Sequence, residues 1–155
     1  MKSSKAEQPV RTIHILLVDD SRDGLLARTS VLQEHGYQVD AYSSPEAALL
    51  EFPNKSYDLI VTDYRMPKMT GTQLIAEIRK THPAMPVVLV SGVADVLGLD
   101  EKSTGANVVV PKSSNEVMHL IRAVKRLLMD AHTPKKPVRS QAGRRAKRES
   151  LSQQR

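Results

Sequence analysis

The stretch Asp58-Leu59-Ile60-Val61-Thr62-Asp63-Tyr64-Arg65-Met66-Pro67-Lys68-Met69-Thr70-Gly71 reads as a buried strand that delivers a carboxylate. Leu59, Ile60 and Val61 form a continuous apolar run too short for a helix, and Pro67 and Gly71 mark a turn after it. Asp63 therefore stands at the carboxyl end of a strand, the edge at which ligands bind in open α/β sheets. A lone acid there can equally cap the next helix or sit solvated in a loop. The choice rests on what else reaches that edge.

Further apolar runs occur at Ile13 to Val18, around Val39 to Tyr42, at Val87 to Val90 and at Val108 to Val110. Between them lie segments of three- and four-residue spacing: Leu25, Leu26, Thr29 and Leu32 before Gly36; Ala47 to Phe52; Leu74, Ile75 and Ile78; and Val117, Leu120, Ile121, Val124 and Leu128. Thr70 with Gln73 and Ser113 with Glu116 fit capping boxes, and Ser44-Pro45 supplies an N-cap followed by proline at the first helical position. The weakest segment, Val96 to Thr104, is interrupted by Gly98. Strand followed by helix, repeated along the chain, predicts an α/β fold: a doubly wound five-stranded parallel sheet, (βα)5, of order 2-1-3-4-5. Its switch point falls between the strands ending near Asp19 and Asp63.

Length and composition bound the rest. The 155 residues suit one domain with some surplus, and the lack of Cys excludes disulfide scaffolds, zinc-thiolate sites and thiol catalysis. No apolar run is long enough to span a membrane and no signal peptide is evident, so a cytoplasmic location is expected. The formal charge of +6 is unevenly placed. From Pro134 onward Lys135, Lys136, Arg139, Arg144, Arg145, Lys147, Arg148 and Arg155 face Glu149 alone, leaving a near-neutral body. The expected organisation is a flexible N-terminus at 1–11, a folded domain at 12–131 and a basic disordered tail at 132–155. Nucleic acid could be contacted only through that tail. His14, His35, His82, His119 and His132 show no ligand spacing and read as structural or solvated.

Asp19 and Asp20 follow the first apolar run directly, so their carboxylates emerge at the same sheet edge as Asp63. Asp20 could instead cap the helix starting near Arg22. Converging like charges need a cation, and a hard divalent ion such as Mg²⁺ suits few carboxylates plus a phosphate oxygen. Ser91 closes the fourth strand beside Gly92, and Lys112 ends the fifth, where its ammonium can pair with an oxyanion. An acid pair, an acid, a hydroxyl and a lysine thus end strands one, three, four and five.

On Asp19-Asp20, on Asp63 followed by Tyr-Arg-Met-Pro and Met-Thr-Gly, on Ser91-Gly92, and on Gly105-Ala106 leading to Lys112, the chain resembles the receiver domain of two-component response regulators over about residues 12 to 131. The resemblance implies a flavodoxin-like fold and a phosphoprotein whose Asp63 accepts a phosphoryl group from the phosphohistidine of a histidine kinase or phosphotransfer protein. It implies Mg²⁺ held by Asp20, Asp63 and the backbone carbonyl of Arg65, with Asp19 acting partly through water, and Ser91 and Lys112 holding the acyl phosphate oxygens. It further implies a signalling domain rather than an enzyme on outside substrates, at most phosphorylating itself from a donor and dephosphorylating itself. A downstream protein, or a second copy in a homodimer, would be met near helix four, strand five and helix five.

The chain departs from that pattern in places. Val109 stands where an aromatic is common, Ser113 where proline commonly follows the lysine through a cis bond, and nothing after Thr133 could fold into an output domain. A phosphorylation-independent scaffold on the same fold is therefore the alternative. A phosphatase using Asp63 is disfavoured, because Arg65 occupies the second position of an Asp-x-Asp pair.

Overall fold

Each apolar run becomes a strand: β1 (His14–Val18), β2 (Gln38–Tyr42), β3 (Leu59–Asp63), β4 (Val87–Ser91) and β5 (Val108–Pro111). All pair in parallel in the order β2-β1-β3-β4-β5, as expected. The computed structural model describes residues 10–93 and 97–132. Its helices are α1 (Arg22–Glu34), α2 (Pro45–Glu51, prolonged by a 3-10 turn at Phe52–Asn54), α3 (Gly71–Thr81), α4 (Glu101–Thr104) and α5 (Glu116–His132).

The strands read as unbroken apolar runs because both faces of the sheet are covered. Ile15, Leu17, Leu59, Val61, Val88 and Val90 pack with Leu32 of α1 and with Leu120, Val124 and Leu128 of α5. Their neighbours Leu16, Val18, Ile60, Val87 and Leu89 face Ala48 of α2 and Leu74, Ile75 and Ile78 of α3. Full burial of such side chains contributes about 1.5–3 kcal/mol each. This two-sided packing fixes where each strand ends.

Local signals place the helices. Ser44 caps α2 by accepting from the Ala47 N–H, and Thr70 and Gln73 close the expected capping box on α3. Gly105, at φ +77°, ends α4 in the left-handed region. Several expectations are corrected. The N-cap of α1 is Ser21, which accepts from the Gly24 N–H, so the alternative of a cap at Asp20 is not realised. Along α1 the buried residues are Arg28 and Leu32, whereas Leu26 points outward. Ser113 accepts from the Asn115 N–H instead of forming a box with Glu116, which begins α5 and turns its carboxylate to Arg28. Val117, expected on the buried stripe of α5, is half exposed. The fourth helical segment is not continuous: Gly98 lies at φ +61° and a short helix restarts at Glu101, while residues 94–96 lie outside the described residues.

At the amino end of the strands Asp58 accepts from the His14 N–H and pairs with Arg11, so contacts begin within the segment expected to be flexible. The remaining N-terminal residues 1–9 and the basic tail from 133 lie outside the described residues. Among the described residues no helix is long and apolar enough to cross a membrane.

Asp40 on β2 accepts from the Tyr57 hydroxyl at 2.7 Å and from Lys55 Nζ at 3.0 Å, with His14 Nε2 at 3.1 Å. Burial opposes its ionisation, but these contacts outweigh it and hold the carboxyl below its usual range, while burial and the same contact push the Tyr57 phenol up. A carboxyl with a depressed folded pKa contributes stability above its unfolded value of about 4, lost as the pH falls through the folded value. Asp40→Ala is expected to lower the unfolding free energy by about 1–3 kcal/mol at neutral pH. In urea titrations that difference should close as the pH is taken below about 4. A difference unchanged in acid would assign Asp40 a role in packing alone.

Candidate functional site

The sheet order brings the ends of β1 and β3 together, and with them the expected acids. Asp19 is fully buried, Asp63 nearly so, and Asp20 is exposed, with one carboxylate oxygen of each lying within 4.8 Å of the others. Asp19 is aimed by its own turn: its Oδ1 accepts from the Ser21 N–H at 2.9 Å, and its backbone N–H donates to the Tyr42 carbonyl at 3.1 Å. Asp63 Oδ1 accepts from the Tyr64 N–H at 3.0 Å and lies 2.9 Å from Lys112 Nζ.

That lysine reaches over from the end of β5, where its N–H donates to the Ser91 carbonyl at 2.9 Å. Ser91 is buried at the end of β4, and its Oγ accepts from the Val93 N–H at 3.1 Å. Among the described residues its own hydroxyl proton has no protein acceptor. Among the described residues a methyl on Gly92 would meet only Lys112, at an ordinary contact distance of 3.7 Å, so a small side chain fits beside the lysine here. Arg65 lies in the exposed loop directly after β3.

Behind Asp63 the backbone is held by Gly71. Its N–H donates to the Tyr64 carbonyl at 2.8 Å, and a methyl at this position would overlap the Asp63 carbonyl. Glycine is required here by close approach, and the loop from β3 to α3 is thereby pinned against the Asp63 main chain.

Electrostatics set what the pocket can do. Burial pushes the Asp63 carboxyl up, the Lys112 contact opposes this, and Asp19 adds to the rise. Three carboxylates share the edge with two cations, Lys112 at Asp63 and Arg28 at Asp19. Among the described residues Asp20 has no protein partner, so hard oxygen donors remain open toward solvent. That donor set fits Mg²⁺, which takes few carboxylates and keeps several waters.

Sequence reasoning missed Arg28. Its guanidinium is buried, pairs through Nη1 with Asp19 Oδ2, and donates from Nε and Nη2 to Glu116 Oε1 at 2.9 and 2.6 Å. The available signal was a cation at helical spacing between Leu25 and Leu32, on the stripe otherwise read as apolar.

The family model for the response regulator receiver domain matches residues 15–125. Among solved structures, the response regulator TrrA of Thermotoga maritima, crystallised with Mg²⁺ and BeF, is 33% identical with a TM-score of 0.68, covering 75% of this chain and 99% of that one. A probable transcriptional regulator (ycf27) of Cyanidium caldarium is 33% identical over 84% of this chain and 53% of its own length. The transcriptional regulatory protein GlrR of Escherichia coli is 40% identical over 50% of this chain and 18% of its own. The chain thus spans less than two thirds of the length of these curated relatives. It belongs to the receiver domain family of response regulators, whose members bind Mg²⁺ in an acidic pocket and switch by phosphorylation of an aspartate.

Proposed function

We propose that Asp63 is the phosphoacceptor of a cytoplasmic signalling domain that takes its phosphoryl group from the phosphohistidine of a histidine kinase or phosphotransfer protein. The observation that carries this is the 2.9 Å contact of Lys112 Nζ with a carboxylate that stands among two others at the switch point of the sheet.

In the transfer an Asp63 oxygen bonds to phosphorus as the phosphorus–nitrogen bond breaks, and the electron pair leaves with the imidazole. Positioning and charge neutralisation carry such a step, so no general base is needed. Lys112 neutralises a phosphoryl oxygen, and the Ser91 hydroxyl, whose proton has no acceptor among the described residues, donates to another. Asp19, Asp20 and Asp63, with the backbone carbonyl of Arg65, would hold Mg²⁺, which when bound would offset charge on the transferring group. Chemistry on the chain itself is limited to self-phosphorylation from a donor and self-dephosphorylation.

The charge gained at Asp63 draws Ser91 and the following loop inward, which biases the Gly98-interrupted segment and a partner-binding face near α4, β5 and α5. Val109 on β5 is partly buried and packs on the cluster between the sheet and α3. No aromatic at this position can rotate inward, which favours a constitutive scaffold as the second reading.

Intact mass after incubation with acetyl phosphate or phosphoramidate tests the assignment. Wild type is expected to gain one phosphoryl group in Mg²⁺ and none in EDTA, and Asp63→Asn none in either. Equal uptake by the mutant would move the site elsewhere, and no uptake by wild type would support the scaffold. For Lys112→Ala, the loss of one preorganised charge is expected to slow uptake by roughly 10²-fold. An unchanged rate would remove Lys112 from the transfer step.

A further inference from the structure

Arg28 places a second cation inside the acidic pocket. A buried guanidinium is tolerated only when its donors are matched, and here two acids match them from different elements: Asp19 at the end of β1 and Glu116 at the start of α5. Gly24 makes the fit possible, since a methyl there would overlap Asp19 Oδ2 and lie 3.0 Å from Arg28 Nη1.

Asp19 is consequently engaged through both oxygens, one by the Ser21 N–H and one by Arg28, before any metal arrives. We infer that Arg28 is a positioning residue that competes with Mg²⁺ for the Asp19 carboxylate and relays the outcome to the start of α5 through Glu116. When the metal draws charge from Asp19, the guanidinium is left with Glu116 as its principal anion. Linkage makes this reciprocal: whatever holds Arg28 against Asp19 weakens the metal, and the metal loosens that contact by the same factor. The inference rests on the reading of Asp19, Asp20 and Asp63 as the metal site.

Mg²⁺ titrations of the full chain, by calorimetry and by NMR, test both levels. Wild type is expected to bind Mg²⁺ saturably, with the Arg28 Nε–H resonance and the backbone amide of Glu116 shifting at the same midpoint. Arg28→Met is expected to bind about tenfold more tightly, and Arg28→Lys, which keeps a cation beside Asp19, to return most of the way to wild type. Saturable binding by wild type with no movement of the Arg28 Nε–H resonance overturns the inference while leaving the metal site standing. Equal or weaker affinity in a folded Arg28→Met does the same, and that variant's fold is checked by the far-UV spectrum. No saturable binding by wild type overturns the metal assignment, and the inference with it. Because the wild-type resonance is decisive alone, the test survives if Arg28→Met fails to fold.

Discussion

Like charge gathered at one edge of a parallel sheet is the constraint on which this molecule depends. Strands buried on both faces are held by apolar packing from α1 and α5 on one side and α2 and α3 on the other, so the positions of their ends are not free to relax. Two of those ends carry Asp19, Asp20 and Asp63. Held that close, the three carboxylates repel one another, and at Asp63 burial and the neighbouring Asp19 both push the carboxyl up. The surrounding chemistry answers that repulsion. Lys112 approaches from β5, Arg28 from α1, and a hard cation from solvent suits the donors that remain. A phosphoryl group brings more negative charge to a place already balanced in this way, so its arrival must rearrange the cations, and rearranged contacts are what a switch consists of.

The backbone around the pocket is specified as closely as its side chains. Gly71 lies so near the Asp63 carbonyl that no Cβ fits, and Thr70 caps the helix that begins there. Lys68, within the same loop, lies at φ +69°, an uncommon value for a side-chain-bearing residue. The loop is thus tied down at its end by Gly71, against the Asp63 main chain. The loop after β4 is built differently: Ser91 is buried, while Gly98 takes a left-handed φ before a short helix begins at Asp100 and Glu101.

The sheet was legible because both-sided burial writes a strand as an unbroken apolar run, and the strand ends then locate Asp19, Asp63, Ser91 and Lys112 without reference to tertiary contacts. The capping signals at Ser44 and Thr70 were equally legible, since both are local hydrogen bonds. What failed were inferences that needed a distant partner. Glu116 has the spacing of a capping box with Ser113, yet a guanidinium 88 residues away in sequence claims its carboxylate. Arg28 went unnoticed because cations on helices are usually solvated; only the fold reveals that α1 turns it inward and Leu26 outward. Asp20 was open to capping α1, but the fold gives that place to Ser21 and leaves the acid pair at the sheet edge.

Arg28 also shows why the identity of a buried cation matters. A single ammonium is a point charge that could neutralise Asp19 or Glu116, whereas a planar fork presents donors in two directions and can serve both at once. Here Nη1 faces Asp19, while Nε and Nη2 converge on one oxygen of Glu116. The side chain therefore has two attachments of unequal multiplicity, one donor on the pocket side and two on the α5 side. Loss of the single contact leaves the double one intact, so the guanidinium can give up Asp19 without becoming an unpaired buried charge. That asymmetry lets a buried ion pair yield to a competing cation, where a symmetric pair would resist it.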